Sequence, residues 1–405
     1  MMAQRISLLA HRWVGLGIAG FLLMAGTTGS LLAFYDEFDH AVRRLVLGPV
    51  GPFEPDNIDV FVLRDRAEAR LPYGGYIDYL DELRPKESRS VAFFVQYPRG
   101  APQDAPRQVF VDPSDGETMG HRRLGSGEYH DGLIALPPFI YRLHTSLALG
   151  RSGQLALGVV ALLWTLDCLV GGYLTLPRRK RTRRSLRVWT RQWAKVWLFR
   201  MSSFFGAIFT WHRAFALWTW LLLFSVALSA VALNLRQVYD PVVSEVMGLD
   251  IPGYRSIQRL SSPLTAPRLS YREGFAVAVE RLSERSKRDG FEVIAGKKFN
   301  YYRDKGVYRY TAFTSLDVSR RHPTTAIYVD ANTGEELAFD QPTDSSAGTT
   351  LTTWLHAIHF GSVSVGGIVV QVLIGVLGFG VVTLSVSGAW TWAHRRPKRA
   401  GRLIP

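Results

Sequence analysis

Four runs of the sequence, 13–34, 155–176, 214–235 and 365–392, are apolar and long enough to cross a hydrocarbon layer about 30 Å thick, which takes roughly 20 helical residues. A chain carrying four such runs has no water-soluble way to bury them all, so a polytopic membrane protein is expected. The near-zero mean hydropathy, +0.04, averages these runs with long polar stretches and conceals them. The first run follows Arg5 and Arg12 and is trailed by small residues, as a secretory signal would be. It exceeds the usual 7–15-residue signal core and lacks an Ala-x-Ala site, so it reads as a retained span.

Charge sets the expected orientation. Segments 1–12, 177–213 and 394–405 hold two, eleven and five Lys/Arg and no Asp or Glu. The positive-inside bias places all three in the cytoplasm, with both termini, and sends 36–140 and 236–355 outside, into the periplasm of a bacterial inner-membrane protein. These basic segments exceed the whole net charge of +14, so the rest of the chain is slightly acidic and no nucleic-acid partner is indicated. The lipid bilayer is the partner that the run Arg178-Arg179-Lys180-Arg181 faces, as a topology anchor. The one cysteine, Cys168, falls inside the second run, which excludes disulfide scaffolding of the outer regions and a Cys-x-x-Cys-His site for covalent haem.

The chain is written twice. His11-Arg12, a span, a polar region, Val111-Asp112-Pro113-Ser114-Asp115-Gly116-Glu117, His144, a span and a basic cluster recur as His212-Arg213, a span, a polar region, Val329-Asp330-Ala331-Asn332-Thr333-Gly334-Glu335, His359, a span and a basic tail. Phe34 and Leu235 each lie 23 residues after His11 and His212; Pro177 and Trp392 each lie 33 after His144 and His359. Each half begins and ends inside, so the fold expected is a four-helix transmembrane bundle of two parallel repeats related by a pseudo-two-fold axis along the membrane normal. Along the chain this gives a cytoplasmic N-terminus and first helix (1–35), an outer region (36–140), a second helix (141–177) and a basic loop (178–200). A third helix (201–235), a second outer region (236–350), a fourth helix (351–393) and a basic tail (394–405) complete it. The outer regions read as small α+β units with strands ending in Asp-Gly and Thr-Gly turns, and 271–288 as an amphipathic helix. The aspartates of the repeated hairpins are read as turn formers, not metal ligands.

Five of the ten histidines stand at the starts of spans: His11 and His212 on the inner side, His144, His356 and His359 on the outer. Ionisable residues at membrane depth are costly and mark function or find a partner. In a bundle of repeats His11 faces His212 and His144 faces His359, which is the arrangement of two bis-histidine haems, since imidazole is a common axial ligand. His359 is preferred to His356 because His-x-Gly falls at the repeat position; the two cannot be interchanged on a helix of 3.6 residues per turn. Each matched histidine is thus a candidate iron ligand, and Gly15, Gly17, Gly20, Gly26 and Gly29 leave room for close packing or a porphyrin. Asp167 within the second span is a candidate to tune a haem, relay protons or bond a neighbouring helix.

The segments His11-Arg12-Trp13-Val14-Gly15-Leu16, Leu143-His144-Thr145-Ser146-Leu147, Trp211-His212-Arg213 and His359-Phe360-Gly361 resemble the helix motifs of the PepSY-associated transmembrane family, and the Val-Asp-x-x-x-Gly-Glu hairpins resemble PepSY units. The resemblance runs over nearly the whole chain. It implies α+β PepSY-like outer regions and haem b at His11, His144, His212 and His359. It also implies the activity of the family's inner-membrane reductases, which pass electrons to ferric siderophores. Some relatives carry an appended flavin domain; this chain ends shortly after its fourth span, so the expected donor is separate, a quinol or a cytoplasmic reductase. The acceptor expected is a ferric siderophore or another periplasmic oxidant. The rival reading is a PepSY-bearing regulatory membrane protein without redox activity; a small-solute transporter is disfavoured by the expectation of unbroken spans.

Overall fold

A computed structural model describes residues 2–48, 59–83, 90–98, 100, 107–114, 116–123, 132–177, 186–201 and 203–394. The basic run after the second span, Asp115 of the first hairpin and the tail beyond His394 lie outside the described residues. In the first half, α1 (Met2–Leu32), α2 (Tyr35–Leu47) and α3 (Val60–Glu68) precede β1 (Tyr76–Leu80), β2 (Val91–Gln96), β3 (Gln108–Val111) and β4 (Thr118–Arg122). Next come α4 (Leu136–Ser146), α5 (Gly150–Thr175) and α6 (Leu186–Ala194). The second half runs α7 (Phe204–Trp218), α8 (Trp220–Asn234), α9 (Arg236–Met247), α10 (Gly253–Ser256) and α11 (Tyr271–Asp289). It closes with β5 (Val293–Tyr302), β6 (Val307–Thr314), β7 (Ala326–Asp330), β8 (Glu336–Asp340), α12 (Ala347–His359) and α13 (Ile368–His394).

Helices α1, α5 and α13 are each long and apolar enough to cross a membrane. The third apolar run is not the unbroken helix expected from its composition: α7 and α8 meet at a 70° bend. Neither Gly nor Pro sits there. Thr219 turns its hydroxyl back to the Phe215 carbonyl (2.7 Å), a bond that bends helices, while the flanking indoles are pulled to separate anchors. Trp218 donates to the Trp197 carbonyl (3.1 Å) and Trp220 to the Cys168 carbonyl of α5 (2.7 Å). Likewise His144 and His359 do not stand on the spans themselves. His144 lies on α4, which folds back on α5 after Leu147, Ala148 and Gly150 adopt positive φ, and Gly153 admits it because a Cβ there would collide with the Ser146 carbonyl. His359 ends α12, separated from α13 by a loop that turns at Gly361.

Small residues set the approach of α1 and α13. A Cβ on Gly26 would come within 2.7 Å of the Gly378 carbonyl, one on Gly378 would strike Ser30 Oγ, and that hydroxyl bonds across to the Gly375 carbonyl at 2.8 Å. Gly378→Leu is therefore expected to force these helices apart at a cost of about 1–3 kcal/mol or more. Gly20→Leu, where nothing lies within 4 Å, is the matched control. A thermal melt in detergent reads the difference, and equal midpoints for the two variants would refute the contact.

The two polar regions do not form separate units. Their strands join in one antiparallel sheet, ordered β4-β3-β2-β1-β5-β6-β7-β8, with β1 and β5 paired at its centre through Tyr79↔Asn300 and Leu80↔Phe299. Each half contributes a helix and a four-stranded meander, so the repeat survives in the sheet. Phe61, Leu83 and Tyr271 pack against the apolar cores of both halves, and the Asp78–Arg303 pair (2.9 Å) and the Arg272–Asp59 pair (2.7 Å) cross between them. The repeated hairpins are superimposable in their bonding. Asp112 and Asp330 accept from Ser114 and Asn332 N–H at 2.8 Å each, and Gly116 and Gly334 take φ of +78° and +73°. Those carboxylates are committed to their own turns.

The loop 315–325, between β6 and β7, fastens the sheet to the helices. Arg320 donates to Gln371 Oε1 (2.5 Å), Gln371 is fully buried on α13 and donates to Glu37 (3.2 Å), and Arg321 donates to the same Glu37 oxygen (2.5 Å). Burial would raise the Glu37 carboxyl, but bonds from its own backbone, Gln371 and Arg321 hold it below the usual 4.5. A depressed carboxylate stabilises the fold above its unfolded value and ceases to do so as pH falls through the folded value. Amide-exchange protection of 315–325 is thus expected to hold from neutrality down to 4.5 and to fall below it, and Glu37→Gln to remove the fall. An unchanged acid profile in that variant would assign the transition elsewhere.

Candidate site: two facing histidine pairs

The four histidines at repeat positions meet in the pairs that the repeat implies. His11 of α1 faces His212 of α7 with ring centroids 6.4 Å apart and planes at 62°. His144 of α4 faces His359 of α12 at 6.3 Å and 60°. The pairs occupy opposite ends of the helical part. The second lies at the end bearing the sheet, since Ser362, just past His359, is bonded to Arg320 of the sheet loop at 2.8 Å. Thr28, which holds His144, is 17 residues beyond His11 on unbroken α1, a rise of about 25 Å.

Each ring is aimed by a side chain of another helix. Nδ1 of His11 lies 2.9 Å from Asp167 on α5, Nδ1 of His212 lies 2.9 Å from Ser387 on α13, Nδ1 of His144 lies 2.9 Å from Thr28 on α1, and Nδ1 of His359 lies 2.7 Å from Ser229 on α8. The hydroxyls have one proton each and give it to their own helices: Thr28 to the Met24 carbonyl (2.8 Å), Ser229 to Val226 (2.8 Å) and Ser387 to Leu384 (3.2 Å). A hydroxyl whose proton is spent in this way accepts from Nδ1–H, as a carboxylate at Asp167 does, and a ring donating through Nδ1 has the tautomer whose Nε2 is unprotonated and able to bind a metal.

Rings in that tautomer suit a metal held between two imidazoles. With metal–nitrogen bonds of about 2.0–2.1 Å, two imidazoles on opposite sides of one ion place their centroids roughly 6.3 Å apart. Glycines stand against three of the rings: a Cβ on Gly29 would press His144 Cε1 at 3.0 Å, one on Gly388 would press His212 Cε1 at 3.2 Å, and one on Gly171 would reach His11 Cε1 at 3.6 Å. Haem, whose porphyrin nitrogens already hold the iron and leave only two positions to the protein, is a group that a pair of imidazoles would fit. Among the described residues no group of three or more His, Cys, Asp and Glu is arranged to hold a bare ion.

Among the described residues His356, one turn before His359, faces no other histidine ring, and its buried Nε2 has no hydrogen-bond partner. Between the two pairs lies an apolar cluster of Leu223, Ile374, Leu377 and Val381, with Leu22, Trp164 and Cys168 packed against it. Of the tryptophans in or near spans, only Trp164 belongs to that cluster; Trp13 and Trp392 pair at 6.4 Å near the inner histidines. At the sheet end, Phe360 lies 5.6 Å from His359 and 5.3 Å from His322 of the sheet loop, and burial pushes His322 below the ordinary histidine value.

The hydroxyl partners Thr28 and Ser229 were not anticipated from sequence, although both stand 17 residues after the inner histidine of their half and the repeat contained that signal. Ser387 and Asp167 carry no such register, and nothing local marks Ser387. Residues 8–395 match the family described as PepSY-associated TM region. No curated protein matches the chain.

Proposed function

Because the chain belongs to the PepSY-associated TM family, we propose that it is a b-type dihaem oxidoreductase of the bacterial inner membrane that passes electrons across the bilayer to ferric siderophores. In this reading α1, α4–α5, α7–α8 and α12–α13 form a four-span bundle of two parallel repeats. The basic segments lie in the cytoplasm and the sheet in the periplasm. The observation that carries the reading is the pair of facing imidazole couples at opposite ends, every ring held through Nδ1 by a side chain of another helix.

His11 and His212 would hold the inner haem, His144 and His359 the outer; when bound, haem supplies reversible one-electron chemistry. The chain's own work is placement. Asp167, Ser387, Thr28 and Ser229 fix ring orientation, and the apolar cluster around Leu377 keeps water from the path between the pairs. Phe360, 38% exposed, brings the outer surface within one aromatic ring of His359. The redox balance is one electron per iron, given by a quinol or a cytoplasmic reductase and taken by ferric iron. The ferrous product is held less firmly by hard oxygen ligands and leaves the chelate. A transport reading gains nothing from the bend at Thr219, because the backbone there remains bonded, Thr219 N–H to Phe215 (3.0 Å) and Leu223 N–H to Thr219 (2.9 Å).

The test is to reduce the purified protein anaerobically, add ferric siderophore with a ferrous-specific chelator, and follow both chromophores. Reoxidation matched by trapped ferrous iron is expected. Oxidation by other periplasmic acceptors but by no ferric chelate would retain the electron carrier and discard the siderophore.

A further inference from the structure

Three of the four histidines rest on neutral hydroxyls, and one does not. His11 alone meets a carboxylate, Asp167, whose side chain is 12% exposed. Among the described residues His11 is the only ion-pair partner Asp167 has. The asymmetry also breaks the repeat. Thr28 and Ser229 are matched in register and in chemistry, whereas on the inner pair one ring is given a charge and the other, His212, a serine.

Orientation alone does not need that charge, since hydroxyls orient the other three rings at 2.7–2.9 Å. A carboxylate accepting Nδ1–H does something a hydroxyl cannot. It draws the ring toward imidazolate, makes Nε2 a more basic ligand and so favours the oxidised, more positive metal. The uncancelled negative charge acts in the same sense through a low-dielectric interior.

We propose that Asp167 is a positioning residue that holds the inner haem site at a lower reduction potential than the outer, so that electrons run from the His11–His212 end to the His144–His359 end. The proposal rests on the dihaem reading. The step it biases moves one electron from a reduced inner site to an oxidised outer site. No atom is transferred, and the electron is replaced by the donor on the inner face. The hydroxyl-held outer pair is left with the higher potential, next to the surface where an acceptor arrives.

Redox titration of the purified full chain, followed by its haem absorbance, tests this. The native protein should show two one-electron steps, the lower of which disappears in His212→Ala. Asp167→Asn keeps size and an accepting oxygen but loses the charge. It should raise the lower step by at least a tenfold change in its reduced-to-oxidised ratio, 59 mV for one electron, and leave the upper step in place; Asp167→Glu should restore most of the difference. Thr28→Asp makes the reciprocal change on His144 and should lower the upper step, which keeps the idea testable if Asp167→Asn does not fold. Two haems retained with both steps unmoved in Asp167→Asn, or an upper step unmoved in Thr28→Asp, would overturn the role of Asp167. A native chain with no low-spin haem would overturn the dihaem reading itself, and the proposal with it.

Discussion

Replacing His11 or His212 with alanine is expected to remove one of two haems and spare the other, and replacing His144 or His359 to remove the second. The expectation follows from how the pairs are built. Each ring is anchored through Nδ1 to a different helix, so loss of one leaves the opposing Nε2 with no ring able to swing into its place. The pairs share no residue, and the apolar cluster around Leu223 and Leu377 separates them, so the losses should be additive. His356→Ala should leave both sites intact, because among the described residues that ring faces no other histidine. The pyridine haemochrome of each purified variant reads the count. Four variants that all keep two six-coordinate haems would dissolve the assignment, and a loss confined to His356→Ala would move the outer ligand one turn along α12.

The second large effect separates a transmembrane wire from a one-sided reductase. In proteoliposomes with a reductant on the basic-segment side and a ferric siderophore on the sheet side, native protein should reduce the chelate. His212→Ala should stop that flow to background. The same variant should still reduce the chelate when a small artificial donor is added on the sheet side, because the His144–His359 site and its Phe360 approach are untouched. His359→Ala should fail under both regimes. Equal loss in His212→Ala whichever side supplies electrons would mean that the two sites do not act in series.

Much of this architecture was legible in the sequence, and the reason is that membrane segments obey few rules. Apolar length revealed α1, α5 and α13, and the 23- and 33-residue spacings located the histidine pairs, because a repeat copies depth as well as composition. The resemblance of the His11, His144, His212 and His359 segments to PepSY-associated motifs agrees with the family match over residues 8–395. What local sequence could not carry is tertiary. Nothing near Tyr79 or Asn300 announces that two regions more than 200 residues apart close into one sheet, since strand pairing is settled by partners rather than by the strand. The bend at Thr219 lies in a run that is apolar throughout, where a threonine back-bond and two anchored indoles substitute for the usual Gly or Pro. The clamp of Arg320 and Arg321 on Gln371 and Glu37 reads in sequence as ordinary surface charge, and only the fold brings it to the His144–His359 end.

The most direct measurement of the central claim is haem content per polypeptide in protein purified from cells supplied with haem precursor, with its absorbance recorded oxidised and reduced. Two equivalents of haem b, both low-spin and six-coordinate, are predicted from the two imidazole pairs at 6.4 and 6.3 Å. A folded, monodisperse protein that binds no haem, or binds it only high-spin with a single histidine ligand, would contradict it.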